Sequence, residues 1–398
     1  MSDASYIVRE PLLDSKQNVL GYRFKWHDDA GNDSVNLVET VADALNDVEN
    51  GWLFGSQLLF LSASPALLAS DALRELPPRS TVLCMSSAAL AIPEIFENAK
   101  RLRSEGYGIS LKDAHAAVQD KALLELLSHI EIRFAPSELS SQARLYGSLK
   151  QLGTRIIAKD IGSWNDYDAC AALGLDALVG KLHLTPRPNF QPKGLNASQT
   201  TILQLMQMVQ LNADMRELEA VLKCDPSVSY QLLKHINVAG FGQRSEVQSL
   251  RHAVSLLGYG PLYRWLSLLL TTSSTPGYSP VLMQTAIVRG RLAELLGAAR
   301  RPAREAESLF VAGMFSLLDR LTGEPMDSLL EKIGLSVDVK QALVGRQGPL
   351  GPYLALAEAC ELNGSLVGSL AASLRIPHDD VNKAHLSALA WANTLSNV

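Results

Sequence analysis

The stretch Arg9–Asp29, REPLLDSKQNVLGYRFKWHDD, holds an apolar run, a polar turn, and a second alternating run ending on Arg23, Phe24, Lys25, Trp26 and His27. Period-two alternation interrupted by a polar turn is the pattern of two consecutive strands. Downstream, the β-rich runs STVLCMS (80–86), IEIRFA (130–135), TRIIAKDI (154–161) and ALVGKLHL (177–184) alternate with helical segments such as PEIFENAKRLRSEG (93–106) and LYGSLKQLG (145–153). Repeated β-α units of this kind predict a parallel sheet or barrel.

The pattern changes near residue 186. TPRPNFQPKGLNAS (185–198) concentrates prolines and a glycine among polar residues, so neither periodicity continues through it. Beyond it, helical period dominates, as in QTTILQLMQMVQL (199–211) and MQTAIVRGRLAELLG (283–297). The expected organisation is a barrel domain at 1–185, a Pro-rich linker at 186–198 and a helical domain at 199–398, an α/β fold followed by an all-α bundle. No fixed repeat supports a solenoid.

Composition bounds the function. With 398 residues, 47% hydrophobic and 19% charged, both halves have enough apolar surface for a core. Thirty-six basic against 41 acidic side chains give a net charge of −5, with no global attraction to nucleic acid or an anionic membrane. The four cysteines are far apart and form no CxxC pair, which fits a reducing cytoplasm rather than a disulfide framework or zinc knuckle. No leader pattern opens the sequence, and no apolar run is long enough to span a bilayer.

In the order of its elements, residues 6–185 resemble the EAL domain, a TIM-like barrel that in active members hydrolyses the bacterial messenger cyclic di-GMP with two divalent metals. The resemblance lies in REPLLDSKQNVLGY (9–22), EGYGISLKDAH (105–115) and LGLDALVGKLHLTPRP (173–188). The helical half resembles the HDOD domain, a relative of the metal-dependent HD hydrolases without their ligands. LKCDPSVSYQLLKHINVAGFG (222–242), SLRHAVSLLGYGPLYRWLSLLL (249–270) and the long run from Leu309 to Gly351 carry that likeness.

Measured against the EAL frame, this chain has lost most of its carboxylates. The Glu-Ala-Leu positions fall on Arg23, Phe24 and Lys25, and the following arginine on His27. Ser62 and Cys84 stand where an asparagine and a glutamate belong, and Lys112 and Asp113 replace the paired aspartates. Glu131 and Arg133 take the places of a lysine and an aspartate, the last acidic cluster reads Lys159, Asp160, Gly162, and the late glutamine is Val179. A magnesium pair needs several converging carboxylates, so the resemblance implies a degenerate barrel with no catalytic residue, metal or cofactor.

The cations Arg23, Lys112, Arg133 and Lys159, with Asp113, fall near strand ends that converge on one face of such a barrel. Two readings stay open: a cationic former active site that takes a phosphate without metal, or drifted surface positions paired by Asp113 and Asp160. The expectation adds a solvent-facing Arg23.

In the helical half the metal-holding His-Asp pair falls on Ser316 and Leu317, and no such pair occurs in the sequence. His378, Asp379 and His385 in IPHDDVNKAH read better as a helix start and an ordinary partner than as ligands. His235 and His252 read as core or surface histidines. Arg264 and Trp265 suggest either a partner surface or a core-facing helix. GRQGPLGPY (345–353) lacks the phosphate-loop ending, and no GxSxG or HExxH occurs. The expected function is non-catalytic signal transduction through other signalling proteins, with a metal-free receptor for a phosphorylated ligand or a residual phosphodiesterase as alternatives. A homo-oligomer stays open.

Overall fold

The computed structural model describes residues 6–27, 34–47, 51–112, 114, 120–135, 146–147, 149–151, 153–180, 182–185, 187, 195–238, 250–272, 279–362 and 366–396. Asp113 and most of the expected linker lie outside them.

The quoted stretch forms an antiparallel hairpin, β1 (Ile7–Leu13) and β2 (Val19–Trp26), in register with Glu10 opposite Arg23 and Val8 opposite Lys25. Two short strands, β3 (Asn46–Asp47) and β4 (Gly51–Trp52), pair with each other. Then come β5 (Leu58–Ser62), β6 (Thr81–Met85), β7 (Gly108–Leu111), β8 (His129–Arg133), β9 (Arg155–Lys159) and β10 (Ala177–Val179). Eight strands close a barrel in the order β1-β10-β9-β8-β7-β6-β5-β2. All neighbours are parallel except β1, which runs against both β2 and β10. Inward side chains including Leu12, Phe60, Val82, Ile157 and Val179 fill the interior, so this is a packed core and not a pore.

A hairpin has no crossover helix, which leaves β1 and β2 without the cover a β-α unit supplies. The C-terminal segment provides it. Residues 356–398 belong to the same compact unit as residues 1–188, together with 279–281. The helix His378–Ser396 packs on the helix Ser34–Leu45. Asn382 Oδ1 accepts the Ile7 backbone N–H at 2.8 Å, and Asn393 donates to the Phe54 carbonyl at 3.3 Å. Arg9, buried on β1, donates to His385 Nε2 at 2.9 Å and lies 3.6 Å from the Glu361 carboxylate. The sequence boundary assigned 356–398 to the helical half. Their contacts place them with the barrel, because the hairpin's outer face needs an apolar and polar partner.

In the second unit, residues 189–278 and 282–355, the described residues form helices and their connections, with no strand among them. The helix Pro280–Ala298, which lies in this unit from Leu282 onward, meets the helix Ala303–Phe315 at two glycines. A Cβ on Gly290 would lie 2.5 Å from Met314 Cγ, and one on Gly313 2.5 Å from Gly290 Cα. Trp265 is buried, and Arg264 forms a fork to Glu294 and lies over the Phe310 ring, so this helix faces the core. Among the described residues no helix is long and apolar enough to cross a membrane.

Candidate functional site

The barrel mouth is built at the C-terminal ends of the parallel strands. Period-two alternation carries Arg23 and Lys25 on one face of β2, with Glu10 of β1 on that face across the ladder. Glu131 on β8 lies between two isoleucines and is fully buried. Its Oε2 is 2.8 Å from Arg23 Nη2 and 3.5 Å from Lys159 Nζ, while Ser110 donates to Oε1 at 3.1 Å. Cys84 lies in the same buried ring of groups. Burial, and then the Glu131 charge, push its thiol up to about 12.

Around this centre the remaining cations are held in different ways. Lys25 Nζ donates to Glu10 at 2.9 Å. Burial pushes the Glu10 carboxyl upward, but Lys25, Arg23 and Lys159 outweigh it and hold it below its ordinary value. Lys112 Nζ donates to Ser62 Oγ at 2.6 Å. At the exposed rim, Arg133 Nε donates to Asp160 Oδ2 at 3.0 Å. Asp160 takes a left-handed φ of 59°, one that aspartate tolerates better than most side chains, in the turn that follows β9.

Arg23 and Lys159 therefore meet at one acid, Lys112 stands with a hydroxyl, and Arg133 sits outside them at the rim. Arg23 is not the solvent-facing residue expected: it is 8% exposed, because β2 turns it into the barrel toward Glu131. Asp113 lies outside the described residues. Glu131, Glu10, Ser62 and Ser110 were missing from the expected site. Glu131 had a signal in the sequence, an acid between two isoleucines of an inward-facing strand, which demands a partner of opposite sign, whereas Glu10, next to Arg9, had none.

A divalent metal pair needs carboxylates free to converge on it. Glu10, Glu131 and Asp160 each face a cation, and among the described residues no group of three or more His, Cys, Asp or Glu side chains could hold a metal ion. These residues do not fit a metal pair. In the helical unit, the close crossing at Gly290 and Gly313 brings buried Arg289 against Ser316, and Nη1 donates to Oγ at 2.7 Å. A guanidinium thus lies beside Ser316, the first of the two positions on which the His-Asp pair was expected to fall. His235 stacks on Trp265 with centroids 5.9 Å apart.

Residues 195–322 match the HDOD domain. Over nearly the whole chain, two curated bacterial proteins are similar. The Bacillus subtilis "Uncharacterized protein YuxH" is 23% identical over 98% of this chain and 98% of its own length. The Vibrio cholerae "Cyclic di-GMP phosphodiesterase CdgJ" is 23% identical over 99% of this chain and 94% of its own. Solved structures similar to the N-terminal part include Klebsiella pneumoniae BlrP1 in a manganese and cyclic di-GMP complex, with 14% identity, a TM-score of 0.36, and coverage of 46% of this chain and 55% of that one. The EAL domain of Mycobacterium smegmatis DcpA is 16% identical, with a TM-score of 0.37 over 45% of this chain and 91% of that one. The chain carries an eight-stranded barrel, and beyond it residues 195–322 match the HDOD domain.

Proposed function

We propose that this protein is a non-hydrolytic member of cyclic di-GMP-type signalling that acts by binding other proteins. The observation that carries the reading is the pairing of Glu131 with Arg23 and Lys159, which engages the buried acid of the mouth with cations instead of leaving it free to hold a metal. The full-length similarity to a cyclic di-GMP phosphodiesterase supports the signalling context, and Arg289 beside Ser316 supports a second unit without metal chemistry. Binding surfaces tolerate such losses, whereas hydrolysis does not. The test is cyclic di-GMP turnover by the full chain with magnesium or manganese. No turnover above a metal-free control is expected, and chelator-sensitive turnover would overturn the reading. Affinity capture from the native bacterium with the full chain as bait should then return a partner protein in stoichiometric amount.

One observation favours a second reading, the mouth as a metal-free receptor for a phosphorylated ligand. Lys112 is held by a neutral hydroxyl and by no acid among the described residues. Calorimetric binding of cyclic di-GMP in the presence of chelator, lost in Lys112→Met, would select it.

A further inference from the structure

The opposite end of the barrel carries a different basic cluster. Arg155 is the first residue of β9 and His129 the first of β8, while Arg79 lies in the short helical turn before β6. Arg103 comes from the last turn of the helix Pro93–Ser104. Two adjoining cavities, about 370 and 560 Å³, share Arg79, Arg155 and His129 in their linings, and Arg103 lines the larger. These volumes are those of small-molecule sites.

Among the described residues none of the three arginines makes an ion pair. Arg103 reaches only the Tyr107 carbonyl, at 3.5 Å. The two acids lining the cavities are engaged elsewhere. Asp176 accepts the Ile156 backbone N–H at 2.8 Å, and Glu125 lies 3.9 Å from Lys121 on its own helix. His129 is buried with Nδ1 2.8 Å from Ser128 Oγ. Burial, then Arg155 and Arg103, lower its pKa to about 4, so the arginines' field reaches the cavity wall. The N-terminal end of a barrel ordinarily serves stability. All three arginines are exposed, so water screens their mutual repulsion and leaves their guanidiniums open to an anion.

We propose that Arg79, Arg103 and Arg155 form a phosphate-binding site at the N-terminal end of the barrel, remote from the mouth. Guanidinium forks suit phosphate oxygens, and the cavities leave room for a substituent on the phosphate. The shared chemistry is a phosphate group, either free or as a small ester.

The full chain is titrated with inorganic phosphate and, separately, with adenosine monophosphate, at ionic strength held constant with sodium chloride. The thermal midpoint and the imidazole NMR signal of His129 are followed. A rise in midpoint is expected as ligand exceeds its dissociation constant, with movement of the His129 signal. Arg79→Gln with Arg155→Gln should weaken binding about tenfold or more, and Lys112→Met at the mouth should leave it unchanged. Tighter binding of the nucleotide identifies an ester site, and equal binding a site for bare phosphate. The proposal is overturned if the midpoint does not rise, if it rises equally in the double variant, or if Lys112→Met abolishes the rise. Should the double variant fail to fold, the parent's His129 signal decides: unmoved by phosphate, it rejects the site.

Discussion

Glu131 Oε2 lies 2.8 Å from Arg23 Nη2, with the glutamate side chain wholly removed from solvent. Two buried charges are stable together because each offsets the other's lost hydration, and neither is stable alone. Glu131→Gln should therefore leave Arg23 and Lys159 uncompensated and destabilise the protein by about 3–5 kcal/mol. Arg23→Met combined with Glu131→Leu should recover most of that loss. Urea unfolding of the parent, Arg23→Met, Glu131→Leu and the double variant measures the coupling. Additive losses would mean that the pair does not hold the barrel.

The C-terminal cover makes a second prediction. Residues 1–188 expressed alone lack Asn382 for the Ile7 N–H and lack both His385 and Glu361 for Arg9. They should give no cooperative melt, although they hold every barrel strand. In the full chain, Asn382→Ala should cost about 1–3 kcal/mol by orphaning a buried backbone donor. A cooperative transition of the isolated barrel would show that the hairpin needs no cover.

These two cases mark what the sequence made legible. The hairpin and the strands at 80–86, 130–135 and 154–161 could be read because alternation and turn chemistry are local. That the segment beyond 356 is helical could be read for the same reason. Its attachment to β1 could not, since helical period states which face is buried and not what buries it. In the site, Arg23 and Lys159 stood out by sign, but their common partner was passed over. Glu131 in IEIRFA looked like one more substituted position, although an acid between two isoleucines on an inward strand already implied a buried cation nearby. Lys112 and Asp113 are adjacent in sequence, and only Lys112 is described.

Stability should fall in mild acid through the histidines. Burial, and then Arg155 and Arg103, hold His129 down to about 4, and burial followed by Arg9 holds His385 well below its ordinary value. The unfolded chain takes up these protons near pH 6.5 and the folded chain only much lower. The unfolded state thus binds more protons between those values, so stability present above pH 6.5 is lost as pH falls toward 4. For His129 the loss reaches about 3 kcal/mol, because each pH unit between the unfolded and folded values removes about 1.4 kcal/mol. His385→Gln keeps an acceptor for Arg9 and removes one titration. Its unfolding free energy should decline less steeply than the parent's between pH 6.5 and 5, and identical slopes would show that His385 is not held neutral.

Thiol reactivity tests whether the mouth is closed. Cys84, Cys170 and Cys360 are buried and Cys224 is exposed. Burial and the Glu131 charge push the Cys84 thiol up to about 12, so at pH 8 only about one molecule in ten thousand carries the thiolate that alkylation requires. Treatment of the folded protein with iodoacetamide should therefore label Cys224 alone, and all four cysteines should react in urea. Mass spectrometry of the digested protein identifies the positions. Labelling of Cys84 at a rate near that of Cys224 would mean that the mouth opens readily to water, which the ion pair of Arg23 with Glu131 should prevent. In Glu131→Gln, water entering to solvate Arg23 should raise the Cys84 rate while leaving Cys224 unchanged.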